Sequence, residues 1–170
     1  MNKTFFIADT HFGDDSIRRY ENRPFDTVEQ MDCVLVRNWN SVVSHGDTVY
    51  VLGDFGALGY EREMLSKLNG TKILIKGNHD IKSNSEYREA GFEEVYDLPV
   101  IFRNFWILSH DAIYVNSNMP YANLFGHVHA TPIVKDFSSQ HFCACVERIN
   151  YTPVSFDEII NKVKEGNTNV

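Results

Sequence analysis

DTVYVLGDF, Asp47–Phe55, decides how this chain folds. Thr48–Leu52 is an apolar, β-branched run of buried-strand length, and it ends on Gly53-Asp54, a bend that carries a carboxylate. Both flanks read as helix. Upstream, Val28, Met31, Leu35, Trp39 and Val42 recur at helical spacing over about Thr27 to Val43, with Asp26 and Glu29 as a capping box and Gly46 past the end. Downstream, a helix over about Tyr60 to Leu68 stops at Asn69-Gly70. Beyond these helices lie two more strand-like runs, Thr4–Ala8 and Lys72–Ile75. Strands joined through helical crossovers pair in parallel, and such sheets take ligands beyond the carboxyl ends of their strands.

Two further short strands, Phe105–Leu108 and Leu124–Phe125, follow in the later half. Each of the five runs leads into polar residues: Asp9 and His11, Asp54, Asn78 and His79, His110, then His127 and His129. Strand-like stretches at Val95–Phe102 and His141–Glu147, with turns at Pro99, Pro120 and Pro132, add a second sheet packed on the first. A last helix begins after Ser155, with Glu158 closing its cap and Phe156, Ile159, Ile160 and Val163 on one side. The expectation is one α/β domain over residues 1–170, a two-sheet sandwich with helices outside, and a flexible tail over Lys164–Val170.

Composition narrows the function. Hydrophobic residues make up 43% and charged residues 23%, as in an ordinary globular protein. The formal net charge of −7 argues against broad capture of nucleic acid or of an anionic membrane. MNKTFFIADT lacks the pattern of a signal peptide, and no apolar stretch reaches membrane-span length. Cys33, Cys143 and Cys145 match no common zinc spacing and read as reduced thiols, the last two buried, in a cytoplasmic protein.

Asp9, His11, Asp54, Asn78, His110, His127 and His129 offer only oxygen and nitrogen donors. Seven such residues are too many for one tetrahedral zinc and suit two divalent ions that share a carboxylate. Manganese is the first choice, with iron, zinc or nickel as alternatives; four imidazoles serve magnesium poorly. Each residue alone would suit a turn or a hydrogen-bonded strand end. Together they would be costly to bury without a cation. His45 and His141 fall outside the pattern, as a surface residue and a strand residue.

The ordered blocks Asp9-Thr10-His11, Gly53-Asp54, Gly77-Asn78-His79-Asp80, His110 and Gly126-His127-Val128-His129 resemble the calcineurin-like metallophosphoesterases. ENRPFD, RNWNSVV, DTVYVLGDF and NYTPVSFDEI resemble a group of small bacterial and phage members known mostly as predicted phosphoesterases. The resemblance implies a four-layer α/β/β/α sandwich. It assigns one metal to Asp9, His11 and His129, the second to Asn78, His110 and His127, and the bridge to Asp54. It implies hydrolysis of phosphodiesters or phosphomonoesters, diesters slightly favoured, by metal-activated hydroxide attack on phosphorus. His79 then stabilises the transition state or protonates the leaving oxygen. Members that act on phosphoproteins carry an Asp to orient this histidine where Ala57 stands here; Asp80 is the candidate substitute.

Asn78, His79, Arg18, Arg19 and Arg23 are the candidate substrate contacts; the arginines would equally suit salt bridges to Glu21 or Asp26. Asp14 stands where the small members it resembles often carry histidine, and the segment after His110, DAIYVNSNMPY, lacks the group's Tyr-Pro. The expected partner is a small phosphate ester. Two rivals stand beside this reading: a metal-dependent nuclease, against which the missing basic patch counts, and a non-catalytic scaffold of the same fold, against which the retained His79 counts.

Overall fold

In the computed structural model, strand β1 (Thr4–Ile7) lies between β2 (Thr48–Val51), parallel to it, and β10 (Val154–Ser155), antiparallel to it. Residues 2–131, 137–138 and 140–167 are described. β3 (Thr71–Ile75) and β4 (Glu94–Tyr96) continue in parallel, so the first sheet has the order β10-β1-β2-β3-β4. The second sheet has the order β5-β6-β7-β9-β8, from β5 (Val100–Phe102), β6 (Trp106–Leu108), β7 (Ala122–Phe125), β8 (Phe137–Ser138) and β9 (His141–Cys143). Its inner strands β6, β7 and β9 are parallel, and its edges β5 and β8 are antiparallel. Five α-helices complete the described residues: α1 (Asp15–Tyr20), α2 (Val28–Val42), α3 (Glu61–Lys67), α4 (Asn84–Ala90) and α5 (Phe156–Asn167).

The first sheet is apolar on both faces, which is why its strands read as near-continuous hydrophobic runs. Phe5, Ile7, Val49, Val51 and Leu74 pack with Met31, Leu35 and Trp39 of α2, Met64 and Leu65 of α3, and Tyr87 of α4. The alternate residues Phe6, Ala8, Leu52 and Ile75 share a core with Trp106, Leu108, Ala122, Leu124 and Phe142 of the second sheet and with Phe156, Ile159 and Val163 of α5. Strand periodicity thus splits one run between two cores. No helix among the described residues is long and apolar enough to cross a membrane.

Several local expectations shift. α2 is capped by Thr27, whose hydroxyl accepts the Gln30 N–H, while Gln30 Oε1 accepts from Asp26 N–H; the Asp26/Glu29 box is displaced by one residue. The run Val95–Phe102 divides, since Pro99 donates no backbone hydrogen bond, and its halves enter different sheets as β4 and β5. β9 ends at Cys143, and Val146–Arg148 forms a 3-10 turn. α1 forms because Asp14 caps it, accepting from Ser16 and Ile17 N–H. α4 starts at a Ser83/Glu86 capping box. α5 runs to Asn167, into the expected tail; residues 168–170 and the turn expected at Pro132 lie outside the described residues.

Candidate metal centre

Five strand ends meet here. Asp9 and His11 follow β1, Asp54 follows β2, Asn78 and His79 follow β3, His110 follows β6, and His127 and His129 follow β7. The loops bind one another through the backbone: Asp9 N–H donates to Gly53 O at 3.0 Å, His11 N–H to Asp54 O at 3.0 Å, and Gly126 N–H to His110 O at 2.9 Å. Each buried carboxylate spends one oxygen on a neighbouring loop. Asp9 Oδ2 accepts from His127 N–H and Asp54 Oδ1 from His79 N–H, both at 2.9 Å. Asp9 Oδ1 and Asp54 Oδ2 then face the imidazoles.

Asp9, His11, Asp54, His127 and His129 have φ between 46° and 68°, the left-handed region that non-glycine residues avoid. Strain of this kind concentrates at functional sites. Close approach explains two motif glycines. A Cβ at Gly77 would collide with Asp54 Oδ1, and one at Gly126 would lie 2.5 Å from Asp9 Oδ2.

The side chains form two groups. Ligand-capable atoms of Asp9, His11 and His129 lie within 4.8 Å of one another, as do those of Asp54, His110 and His127. Asn78 Oδ1 joins the second, 3.0 Å from His110 Nε2 and 3.1 Å from His127 Nδ1. Asp54 Oδ2 stands between the groups, 3.6 Å from His11 Nε2 and 3.4 Å from His110 Nε2.

Cations fit this donor set. His110 Nδ1 lies 2.9 Å from Leu52 O, an acceptor, so the neutral ring carries its proton there and turns the Nε2 lone pair toward Asn78 Oδ1, Asp54 Oδ2 and His127 Nδ1. His129 Nδ1 likewise faces Glu147 Oε1 at 3.1 Å, leaving Nε2 toward Asp9 Oδ1. Asp9 Oδ1 and His11 Nε2 are buried with no hydrogen-bond partner among the described residues. Lone pairs that converge without protons are what a cation satisfies.

The carboxylates also draw a proton toward His110 Nε2, the position a cation would take. Complete burial pushes the Asp9 carboxyl up to about 6. Burial drives His11 down to about 4, which keeps the ring neutral. For Asp54, burial acts upward but is overcome by the His110 hydrogen bond and charge and by the His79 N–H, holding the carboxyl at about 2. Burial lowers His110, yet the Asp54 and Asp9 carboxylates win and push it up to about 9. The cluster attracts positive charge.

No family model matches the chain. The uncharacterized protein MJ1445 of Methanocaldococcus jannaschii is 35% identical over 175 residues, covering 98% of this chain and 94% of that protein. The chain belongs to its family. Gene 66 protein of Mycobacterium phage L5 is 38% identical over 89 residues, 47% of this chain and 41% of the phage protein. Among solved structures, the protein of unknown function AQ665 from Aquifex aeolicus superposes with a TM-score of 0.70 at 28% identity, over 95% of this chain and 99% of that one. The Pseudomonas putida nuclease MPE superposes with a TM-score of 0.52 at 21% identity, over 74% of this chain and 61% of the nuclease, a likeness of fold.

Within this family member, some expected contacts are reassigned. Asp80 does not orient His79: it is buried and accepts N–H groups from Asp54 at 2.7 Å, Gly77 at 2.9 Å and Phe55 at 3.2 Å, so it braces the Asp54 loop. His79 is exposed, its ring centroid 5.3 Å from that of His11. Arg18 and Arg19 pair with Asp15, rather than with Glu21 or Asp26. Arg23 is buried and holds the backbone carbonyls of Asp9 and Thr10, so it is withdrawn from any substrate. Asp14 caps α1 and approaches His11 Nδ1 to 3.6 Å. Cys143 and Cys145 are buried free thiols, and Cys33 is an exposed one.

Sequence reasoning missed Glu147 and Asp32. Glu147 lies behind His129, and Asp32 accepts Gly13 N–H on both oxygens at 3.1 Å. A carboxylate inside the amphipathic pattern of α2 was the available signal for Asp32. Nothing local marked Glu147, whose partners lie far along the chain.

Proposed function

We propose that this chain is a binuclear metal-dependent phosphoesterase of the calcineurin-like kind, built as a four-layer α/β/β/α sandwich. The observation that carries the reading is Asp54 Oδ2, set between His11 Nε2 at 3.6 Å and His110 Nε2 at 3.4 Å. A carboxylate reached from both groups would serve both of two cations. Asp9, His11 and His129 would hold one ion and Asn78, His110 and His127 the other. A pair of divalent ions there, manganese by preference, would supply charge to phosphoryl oxygens and acidify water.

The residues do the rest. The backbone hydrogen bonds on Asp9 Oδ2 and Asp54 Oδ1 fix the carboxylates before substrate arrives, so little reorganisation remains for the reaction. His79, exposed at the rim, hands a proton from its ring to the departing alkoxide oxygen. A cleft of about 190 Å³ adjoins His110, lined by Lys76, Leu98, Pro99, Asp111 and Ile113, and suits a small organic group on the ester.

A nuclease reading has comparable support. It is favoured by the fold likeness to nuclease MPE and by the exposure of Asn78, His79 and His127, which leaves the rim open to a polymer. The experiment is turnover of p-nitrophenyl phosphate, bis-p-nitrophenyl phosphate, and single- and double-stranded DNA with added manganese. Diester hydrolysis that chelator abolishes is expected. Turnover that persists in chelator overturns the metal-dependent reading, and cleavage confined to DNA selects the nuclease.

A further inference from the structure

We propose that Glu147, clamped by Arg23, is the positioning residue for His129, holding its ring in the one tautomer that presents Nε2 to a cation and so setting the affinity of one metal site selectively. The proposal rests on the binuclear reading above. The Glu147 side chain is 7% exposed and that of Arg23 fully buried. A single oxygen, Glu147 Oε1, receives His129 Nδ1 at 3.1 Å, Arg23 Nε at 2.9 Å and Arg23 Nη2 at 2.7 Å. An ionised carboxylate only accepts, so the proton of neutral His129 sits on Nδ1 and the Nε2 lone pair faces the site.

The same guanidinium reaches the other side of that site. Arg23 Nη2 donates to Asp9 O at 2.7 Å and Nη1 to Thr10 O at 2.9 Å. One buried ion pair therefore holds the Asp9 loop and His129 in common register, although Arg23 and Glu147 are 124 residues apart. His110 takes its orientation from the backbone carbonyl of Leu52 instead. The second group thus has no direct dependence on Glu147, and this asymmetry makes the effect selective. Glu21 also lies near His129 and Glu147. With Arg23 already supplying positive charge there, the group serves as support and not as a third cation site.

Outer carboxylates of this type are worth about ten- to a hundredfold in metal affinity. The test is manganese titration of the full chain followed by electron paramagnetic resonance, which separates spin-coupled pairs from single ions. Glu147→Gln removes the charge at constant shape. The paired change Arg23→Met with Glu147→Met removes both buried charges, so neither is stranded if the single variant fails to fold. At concentrations where the wild type gives a coupled pair, the variants are expected to give a single-ion signal. In chelator at alkaline pH, long-range proton–nitrogen correlation should show His129 protonated on Nδ1 in the wild type and shifted toward the Nε2 form in the paired variant. A coupled signal at wild-type concentrations, loss of both ions together, or an unchanged tautomer overturns the proposal. A wild type that binds no manganese overturns the binuclear reading instead, and the tautomer measurement still reads the role of Glu147.

Discussion

The backbone N–H of His127 donates to Asp9 Oδ2 at 2.9 Å, joining positions 118 residues apart and the ends of strands in two different sheets. This bond orients the Asp9 carboxylate, and it closes the two sheets around the candidate metal centre. Gly126 makes it geometrically feasible, since a side chain there would occupy the space of Asp9 Oδ2 and the Ala8 methyl.

Gly126→Ala should therefore cost roughly 1–3 kcal/mol of stability, the usual range for overpacking a tight interior, and should weaken metal binding. Thermal unfolding in chelator, alongside metal content after dialysis, measures both. Full stability with full metal content would show that the loops part more easily than their contacts imply.

Asp54→Asn keeps an oxygen for the His79 N–H but loses the charge shared between the two groups. Metal content should drop below two ions per chain and activity should fall more than about a hundredfold, beyond the loss typical of an outer-sphere change. Elemental analysis paired with diester turnover checks this; two retained ions with normal turnover would remove Asp54 from the bridge.

Among the described residues the His79 side chain bonds neither carboxylate, and only its backbone N–H engages Asp54. His79→Ala should keep both ions while turnover slows about a hundred- to ten-thousandfold, the range for general acid catalysis. The slowing should be greatest for esters with poor leaving groups. An equal effect on activated and unactivated esters would argue against proton donation.

Asp32 supplies a pH prediction away from the metal ligands. Burial pushes its carboxyl up from the usual 3.8 to about 6. Between those values the folded protein binds more protons at this residue than the unfolded chain does, so its contribution to stability falls as pH rises through that window. Asp32→Asn retains an acceptor for Gly13 N–H without the charge. The stability of this variant relative to wild type should rise from pH 4 to pH 6 and level off above it. A flat difference across the range would mean Asp32 titrates normally.

Acid should also strip the centre, because imidazole ligands bind metal only when neutral. Metal content followed downward in pH is expected to fall as the histidines protonate. Content that stays constant into mildly acid solution would count against imidazole ligation.

Much of this was legible along the chain. Thr48–Leu52, followed by Gly53-Asp54, announces a buried strand with a carboxylate at its end, and the helical spacing of Met31, Leu35 and Trp39 forces a crossover and hence parallel pairing. α1 and α4 were harder to see. Each is one to two turns long and held by its capping residue, Asp14 or Ser83, rather than by an apolar stripe. The split of Val95–Phe102 between two sheets was hidden because apolar character does not say which sheet a strand joins.

By itself, the sequence determined which polar side chains stand at the ends of strands, since periodicity and punctuation are local properties that a single stretch of chain carries. Only the tertiary structure decided what each of them does. Arg23 looked like a substrate contact and proves to be a buried clamp on Asp9, Thr10 and Glu147; Asp80 looked like a partner for His79 and braces the Asp54 loop. The physical reason is that a hydrogen bond is settled by distance in space, and these partners are brought within 3 Å by strands whose order in the sheet no local pattern records.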